Sequence, residues 1–341
     1  MPALRRHALL SAAGNVSLLL LSILLFCLLL ELAARLLTLW FPPVMVLDAK
    51  LGWVHRPDVL RTYRTEGVSA VCRTNALGLR GSLPANSRGR RLLILGDSYA
   101  DGLEVSDADL FSMRWAHLRP DLAIFNAGVG GYGTVQELGL YERLKARIRP
   151  DLLVLMVSWN DVDENLLPFY ATIGPRPYVD GQGNLQPVDW NLFRPFLLPL
   201  PGGIWLLRHS IASYVAQNRY LGVWAVRRNA SLNDRYTHQV SEDRKWSILE
   251  DLVGRLAGQA GLVIVGIPSR EAVRGREHTF GEHLAQVARR LGAQWIDLQP
   301  VLREEDYYAH DIHWNASGHH RVGEYLAKAI DAGPASPGEK L

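Results

Sequence analysis

Between residues 91 and 331, short runs of apolar residues alternate with amphipathic stretches. The runs at 91–96, 121–126, 151–158, 261–267 and 293–298 are apolar on both faces and bounded by Gly, Pro or Asp. This is the pattern of strands buried on both sides of a parallel sheet. Helical spacing of apolar positions covers 134–148, 242–258, 279–291 and 316–331, with Asn315 placed as an N-cap for the last. The alternation predicts an α/β fold, a three-layer α/β/α sandwich around a parallel sheet, occupying residues 91–335. Residues 41–90 break the rhythm. They are rich in Pro, Gly and Arg with short β-like stretches, and end in the basic turn Asn86-Ser87-Arg88-Gly89-Arg90-Arg91. They read as a linker with a small β-like segment. Residues 162–240 are an insertion, with a hairpin turn at Asp180-Gly181-Gln182-Gly183-Asn184. Beyond it, Pro195 to Pro201 and Trp205, Arg208, Tyr214, Arg219, Tyr220, Trp224 and Arg227 suit a cap, a membrane-facing surface or a self-packed excursion.

The N-terminus has a different pattern. Residues 8–30 carry no charged side chain. As a helix they would span about 34 Å, enough to cross a hydrocarbon core of roughly 30 Å. Arg5 and Arg6 precede the run, and Glu31 and Arg35 follow it. Residues 1–40 are therefore expected to be a cytoplasmic tip and a single-pass signal anchor in the cytoplasmic membrane, with the rest periplasmic or extracellular. The alternative is a cleaved signal peptide, but the run is long for one, and Leu32-Ala33-Ala34 is a poor cleavage site.

Composition narrows the function classes. A net charge of +3 over 341 residues, with no basic run interleaved with aromatics, gives no footprint for nucleic acid. The two cysteines, Cys27 and Cys72, form no metal-binding or redox motif, and no HExxH spacing occurs. No metal or cofactor is expected.

Ligands of open parallel α/β sheets bind beyond the carboxyl ends of the strands, so the residues following each predicted strand matter most. After the first come Gly96-Asp97-Ser98-Tyr99, and after the second Asn126-Ala127-Gly128-Val129-Gly130-Gly131. After the third come Ser158-Trp159-Asn160-Asp161, and after the fifth His310-Asp311-Ile312-His313. A serine hydroxyl becomes a nucleophile when a base takes its proton, and His313 suits that role. A carboxylate would hold the imidazole in the right tautomer. The N–H groups of Ser98 and Gly131 and the Asn160 amide suit an oxyanion site. Each part also has an ordinary reading: a loop serine, a glycine turn, a helix cap, surface or metal-binding histidines. Their convergence on one rim is what points to chemistry.

These blocks resemble the SGNH/GDSL hydrolase superfamily, over roughly 91–161 and 305–327. Residues 47–81, with Leu51-Gly52-Trp53 and Asn75 to Gly81, resemble the segment before the serine block in bacterial membrane-anchored members. The resemblance implies a flavodoxin-like sandwich, Ser98 as nucleophile, Gly131 and Asn160 as oxyanion donors and His313 as base. Two positions depart from the family pattern. Ser158 stands where the third block has glycine, and His310 stands three before His313 where the family has Asp. The expected orienting acid is Asp311, two residues before the histidine; the alternative is a Ser–His dyad steadied by a backbone carbonyl. The expected activity is a serine esterase working through an acyl-enzyme on an acyl ester, including acylated carbohydrate or lipid. The alternatives are an O-acyltransferase or deacylase on surface polysaccharide and a non-catalytic envelope binding module.

Overall fold

The computed structural model describes residues 2–40, 43–86, 89–170, 173–190, 235–258, 260–275 and 279–330. The expectations for Pro195 to Arg227 fall outside these residues. Helix α1 (Pro2–Trp40) comes first. Its stretch Ala13–Leu37 is long and apolar enough to cross a membrane and is not buried by the rest of the chain.

The core is a five-stranded parallel sheet. Its strands are β5 (Arg90–Gly96), β6 (Leu122–Gly128), β7 (Leu152–Ser158), β8 (Gly261–Ile267) and β9 (Gln294–Asp297), in the order β9-β8-β7-β5-β6. All five runs predicted from the sequence are strands, with bounds shifted by two residues at most. Alternate residues of each strand feed two separate cores. Leu93, Leu95, Leu153, Leu155 and Ile264 pack with α4 (Thr134–Ile148), α6 (Glu242–Leu256) and α7 (Thr279–Leu291) on one face. Leu92, Ile94, Val154, Met156 and Val265 pack on the other with α2 (Ser98–Asp101), α3 (Phe111–Leu118) and α8 (Ala316–Ala329). This is the three-layer sandwich. Its order matches the doubly wound 2-1-3-4-5 arrangement, whose switch point lies between the first and third strands. Here these are β5 and β7, the strands that lead into Ser98 and Asn160.

Residues 43–86 form two antiparallel hairpins, β1 (Met45–Asp48) with β2 (Gly52–His55) and β3 (Leu60–Thr65) with β4 (Val68–Arg73). They do not behave as a linker. Leu51, Trp53 and Leu79 are buried in the same core as α4. The Trp53 indole donates to the Gly130 carbonyl at 3.0 Å, and Tyr132 donates to the Trp53 carbonyl at 2.5 Å. The buried Arg80 guanidinium pairs with Asp107 and donates to the carbonyls of Gly102 and Val105. The Arg80 backbone bridges to Asn126 on edge strand β6, covering part of an otherwise open edge. Polar composition made the segment read as a connector, because its few apolar residues are spread out and its arginine is used internally. The predicted turn at 180–184 is present: the Asp180 carboxylate accepts from the N–H groups of Gln182 and Asn184, closing a hairpin between residues 178–179 and 185–186.

Candidate active site

Ser98 opens α2 directly after β5. The preceding Asp97 turns the chain there, its carboxylate accepting from the Tyr99 N–H at 2.9 Å and from the Ser158 hydroxyl at 2.6 Å. The first bond caps α2 locally, and the second ties the β5 exit to the β7 exit. The helix stops after one turn at Gly102, which is left-handed (φ 57°) and donates to the Ser98 carbonyl. The serine side chain is thus held at the strand end and points at His313, whose Nε2 lies 2.7 Å from Ser98 Oγ.

On the other side of the ring, His313 Nδ1 is 2.5 Å from Asp311 Oδ1, and the same oxygen accepts from the His313 backbone N–H at 2.9 Å. A carboxylate accepts only, so Nδ1 carries a proton, and in the neutral ring Nε2 is left as the acceptor facing the serine. The chain reverses tightly enough between 311 and 313 for the two-residue spacing to work. The reason is visible in Glu66, at the tip of the β3–β4 hairpin. Its carboxylate accepts from three successive backbone N–H groups, Ala309 (3.0 Å), His310 (2.5 Å) and Asp311 (2.8 Å). Arg270 holds the carbonyls of Tyr308 and Ala309, both at 2.9 Å, and the Tyr99 hydroxyl holds the Ile312 carbonyl. The exposed His310 gives its backbone N–H to Glu66, and the bond to His313 Nδ1 comes from Asp311.

Gly131 and Asn160 line the same cleft as Ser98 and His313, a cavity of about 360 Å³. Gly131 is left-handed (φ 74°), and an added Cβ would press on the Tyr170 ring at 3.2 Å, so both conformation and space call for glycine. Asn160 starts a short helix, α5 (Asp161–Glu164). Its amide donates one N–H to Glu164 at 2.6 Å and retains a second. The buried Arg176, 1% exposed, joins the two donor loops by donating to the Gly131 carbonyl (2.8 Å) and to the Glu164 carboxylate (3.0 Å). All five expected site residues, Ser98, Gly131, Asn160, Asp311 and His313, therefore come together.

The electrostatics favour a charged imidazole. Burial opposes protonation of His313, but the bond to Asp311 and the charges of Glu104, Asp311 and Asp97 outweigh it and raise the ring to about 9. The bond to His313 holds Asp311 below the usual carboxylate range. Burial pushes Asp97 up to about 6 against the Ser158 and Tyr99 bonds. Behind the cleft, burial pushes the Glu137 and Asp161 carboxyls well above the usual carboxylate range, and their neighbouring acids push the same way.

Sequence reasoning missed Glu66, Glu104, Glu164 and Arg176. None carries a local motif. Glu66, Glu104 and Arg176 reach the site from turn or loop positions where spacing gives no signal, and Glu164, four residues after Asn160 on α5, reads as an ordinary helix acid.

No family model matches the chain, and no curated protein matches it. Solved structures do. The chain is similar to LAE5, an alpha/beta hydrolase enzyme from the metagenome of Lake Arreo, at 19% identity and TM-score 0.40, covering 70% of this chain and 94% of that one. It is similar to a catalytic mutant of Axe2, an acetylxylan esterase from Geobacillus stearothermophilus, at 14% identity and TM-score 0.42, covering 73% and 97%. It is also similar to the psychrotrophic esterase EstA from Pseudoalteromonas sp., at 10% identity and TM-score 0.40, covering 70% and 96%. Likenesses this distant do not assign function, which rests on the side chains at the site.

Proposed function

We propose that this chain is a membrane-anchored serine esterase of the SGNH type. The observation that carries the reading is the relay Ser98 Oγ, His313 Nε2, His313 Nδ1, Asp311, with contacts of 2.7 and 2.5 Å, standing at the switch point of a parallel sheet. Ser98 Oγ attacks the ester carbonyl while His313 Nε2 takes its proton. The tetrahedral oxyanion is met by the N–H groups of Ser98 and Gly131 and by the second Asn160 N–H, each donor contributing roughly 3–4 kcal/mol. Collapse expels the alcohol, which takes the proton from His313. Water, deprotonated by the same imidazole, then releases the acid and restores Ser98.

The cleft lining supports an uncharged acyl ester. It contains the carboxylates of Asp97, Asp101, Glu104 and Glu164, with no Lys or Arg among the described residues that line it. An anionic acyl group would meet repulsion there. Trp159, 42% exposed beside Asn160, offers an indole surface at the mouth, which suits the sugar face of an acylated carbohydrate.

Arg5 and Arg6 before the apolar helix support a cytoplasmic N-terminus, with the site outside the cytoplasmic membrane. The deciding experiment treats the full chain in detergent with a fluorophosphonate probe and an acetyl ester, beside Ser98→Ala. Wild type is expected to be labelled and to turn over ester, and Ser98→Ala to lose labelling and about 10⁴-fold or more of the rate. Equal labelling and turnover in both would end the nucleophile assignment. Retention in the membrane fraction after carbonate washing checks the anchor.

A further inference from the structure

Asp311 is not the only carboxylate on the Nδ1 side of His313. Glu104 Oε1 stands 3.6 Å from the same nitrogen. Glu104 comes from the segment that carries the nucleophile, two residues after Gly102 closes α2. Its backbone carbonyl accepts from the Tyr308 hydroxyl at 2.8 Å, while the Tyr308 N–H donates to the His313 carbonyl at 3.0 Å. One tyrosine therefore fixes the spacing between the Glu104 backbone and the histidine loop. The Glu104 side chain is 17% exposed, against 34% for Asp311. Among the described residues no other residue hydrogen bonds its Oε2.

Burying a carboxylate without a partner is costly, so such a group is expected to answer some nearby positive charge. The charged and titratable groups around Glu104 are His313, Asp101 and Asp311, with the Tyr308 and Tyr63 phenols and the Cys72 thiol; burial raises its carboxyl above the ordinary range, and the His313 charge draws it back down. Those around His313 are Asp311, Glu104 and Asp97, with the Tyr99 ring 5.2 Å away and the Ser98 hydroxyl ahead of it. Protonated His313 is the one cation in the first group, so the carboxylate is placed for the imidazolium.

We infer that Glu104 is a second orienting acid for His313, which shares the Nδ1 side of the ring with Asp311 and takes over the Nδ1–H bond when Asp311 is lost. This rests on the reading of Ser98 as nucleophile and His313 as base. When Ser98 gives its proton to Nε2, the proton on Nδ1 stays where it is, and the new positive charge faces two carboxylates rather than one. Glu104 is thus a positioning residue that acts through the histidine and touches no substrate. The arrangement also answers the displaced acid. Asp311 sits on a turn one residue nearer the histidine than the family pattern, whereas Glu104 is half as exposed and belongs to the nucleophile's own segment.

The test is an NMR titration of His313 in the full chain in detergent, paired with the pH profile of kcat/KM. Glu104→Gln is expected to lower the His313 pKa by about one unit and to move the acid limb of the profile by the same amount; Glu104→Met should do likewise if the glutamine variant folds poorly. Asp311→Ala is expected to keep activity within about 10²-fold, instead of the ~10⁴ loss expected of a sole orienting acid. Combining Asp311→Ala with Glu104→Gln should bring the rate down to that of His313→Ala. An unmoved pKa in the glutamate variants, or a double variant no slower than Asp311→Ala, overturns the proposal. If Ser98 proves not to be the nucleophile, the turnover arm reads nothing while the NMR arm still reports on Glu104, so the two failures are told apart.

Discussion

The two halves of the candidate site are built differently. Ser98, Gly131 and Asn160 lie within three residues of the ends of β5, β6 and β7, adjacent strands in the middle and at one edge of the sheet. Backbone ladders fix where those residues stand. His313 and Asp311 instead sit in the long irregular stretch between β9 and α8. Their place is set by side chains from elsewhere: Glu66 from a hairpin, Arg270 from the β8 exit, Tyr99 from α2. The first half is rigid because of what it is attached to, and the second because of what reaches it. Damage to the first should remove transition-state stabilisation outright, while damage to the second should detune the base by degrees.

The sharpest test of the sheet-borne half is Asn160→Ala. It should cost about 10²–10³ in kcat with little change in KM, since the amide is needed mainly once the oxyanion forms. A loss confined to KM would move Asn160 from transition-state stabilisation to substrate binding. The loop-borne half is tested next by pH. His313 must be neutral to accept the serine proton, and its pKa is raised to about 9. Activity should therefore climb as pH rises towards 9 and be about a hundredfold below its plateau at pH 7. A profile already flat at pH 7 would show that the carboxylates do not hold the charge on the ring. Glu66→Gln follows, with an expected fall of about tenfold in kcat through a looser 309–311 turn. An unchanged rate would mean that Arg270 and Tyr99 hold the turn by themselves. The smallest effect belongs to His310→Ala, within about threefold, against the much larger loss for Asp311→Asn. The reverse ranking would return the orienting role to position 310.

This division also decides what could be read from the sequence. The strands were legible because a buried parallel strand needs unbroken apolar runs such as Leu92–Leu95 and Leu152–Val157. Each run points to the residues at its end, so Ser98, Gly131 and Asn160 followed from strand positions. Asp311 was legible only as the nearest carboxylate, since the turn that makes its spacing work depends on Glu66, far away in sequence. Arg176 and Glu104 left no trace at all, because an ion pair or a charge facing across a cleft has no period. Residues 43–86 misled for the opposite reason. Their polar residues resemble those of a connector, but Arg80, His55 and Thr74 are buried, with His55 bonded to Asp101 and Thr74 to the Arg56 carbonyl.

That misread stretch limits how far the site can travel. Trp40 ends the apolar helix and Val44 is already buried in the body of the protein. At about 3.5 Å per residue, four residues reach roughly 14 Å at most, so Val44 stands no further than that from the end of the helix. With α1 seated in a bilayer, the folded body would be moored close to the lipid surface, like a boat on a short painter rather than a float on a long line. Esters carried on, or growing from, that surface would come within its range, while a soluble ester deep in the surrounding space would have to diffuse to it. Freeing the body for use in solution means cutting ahead of residue 43, since a cut at 90 would take away the hairpin that steadies the histidine turn.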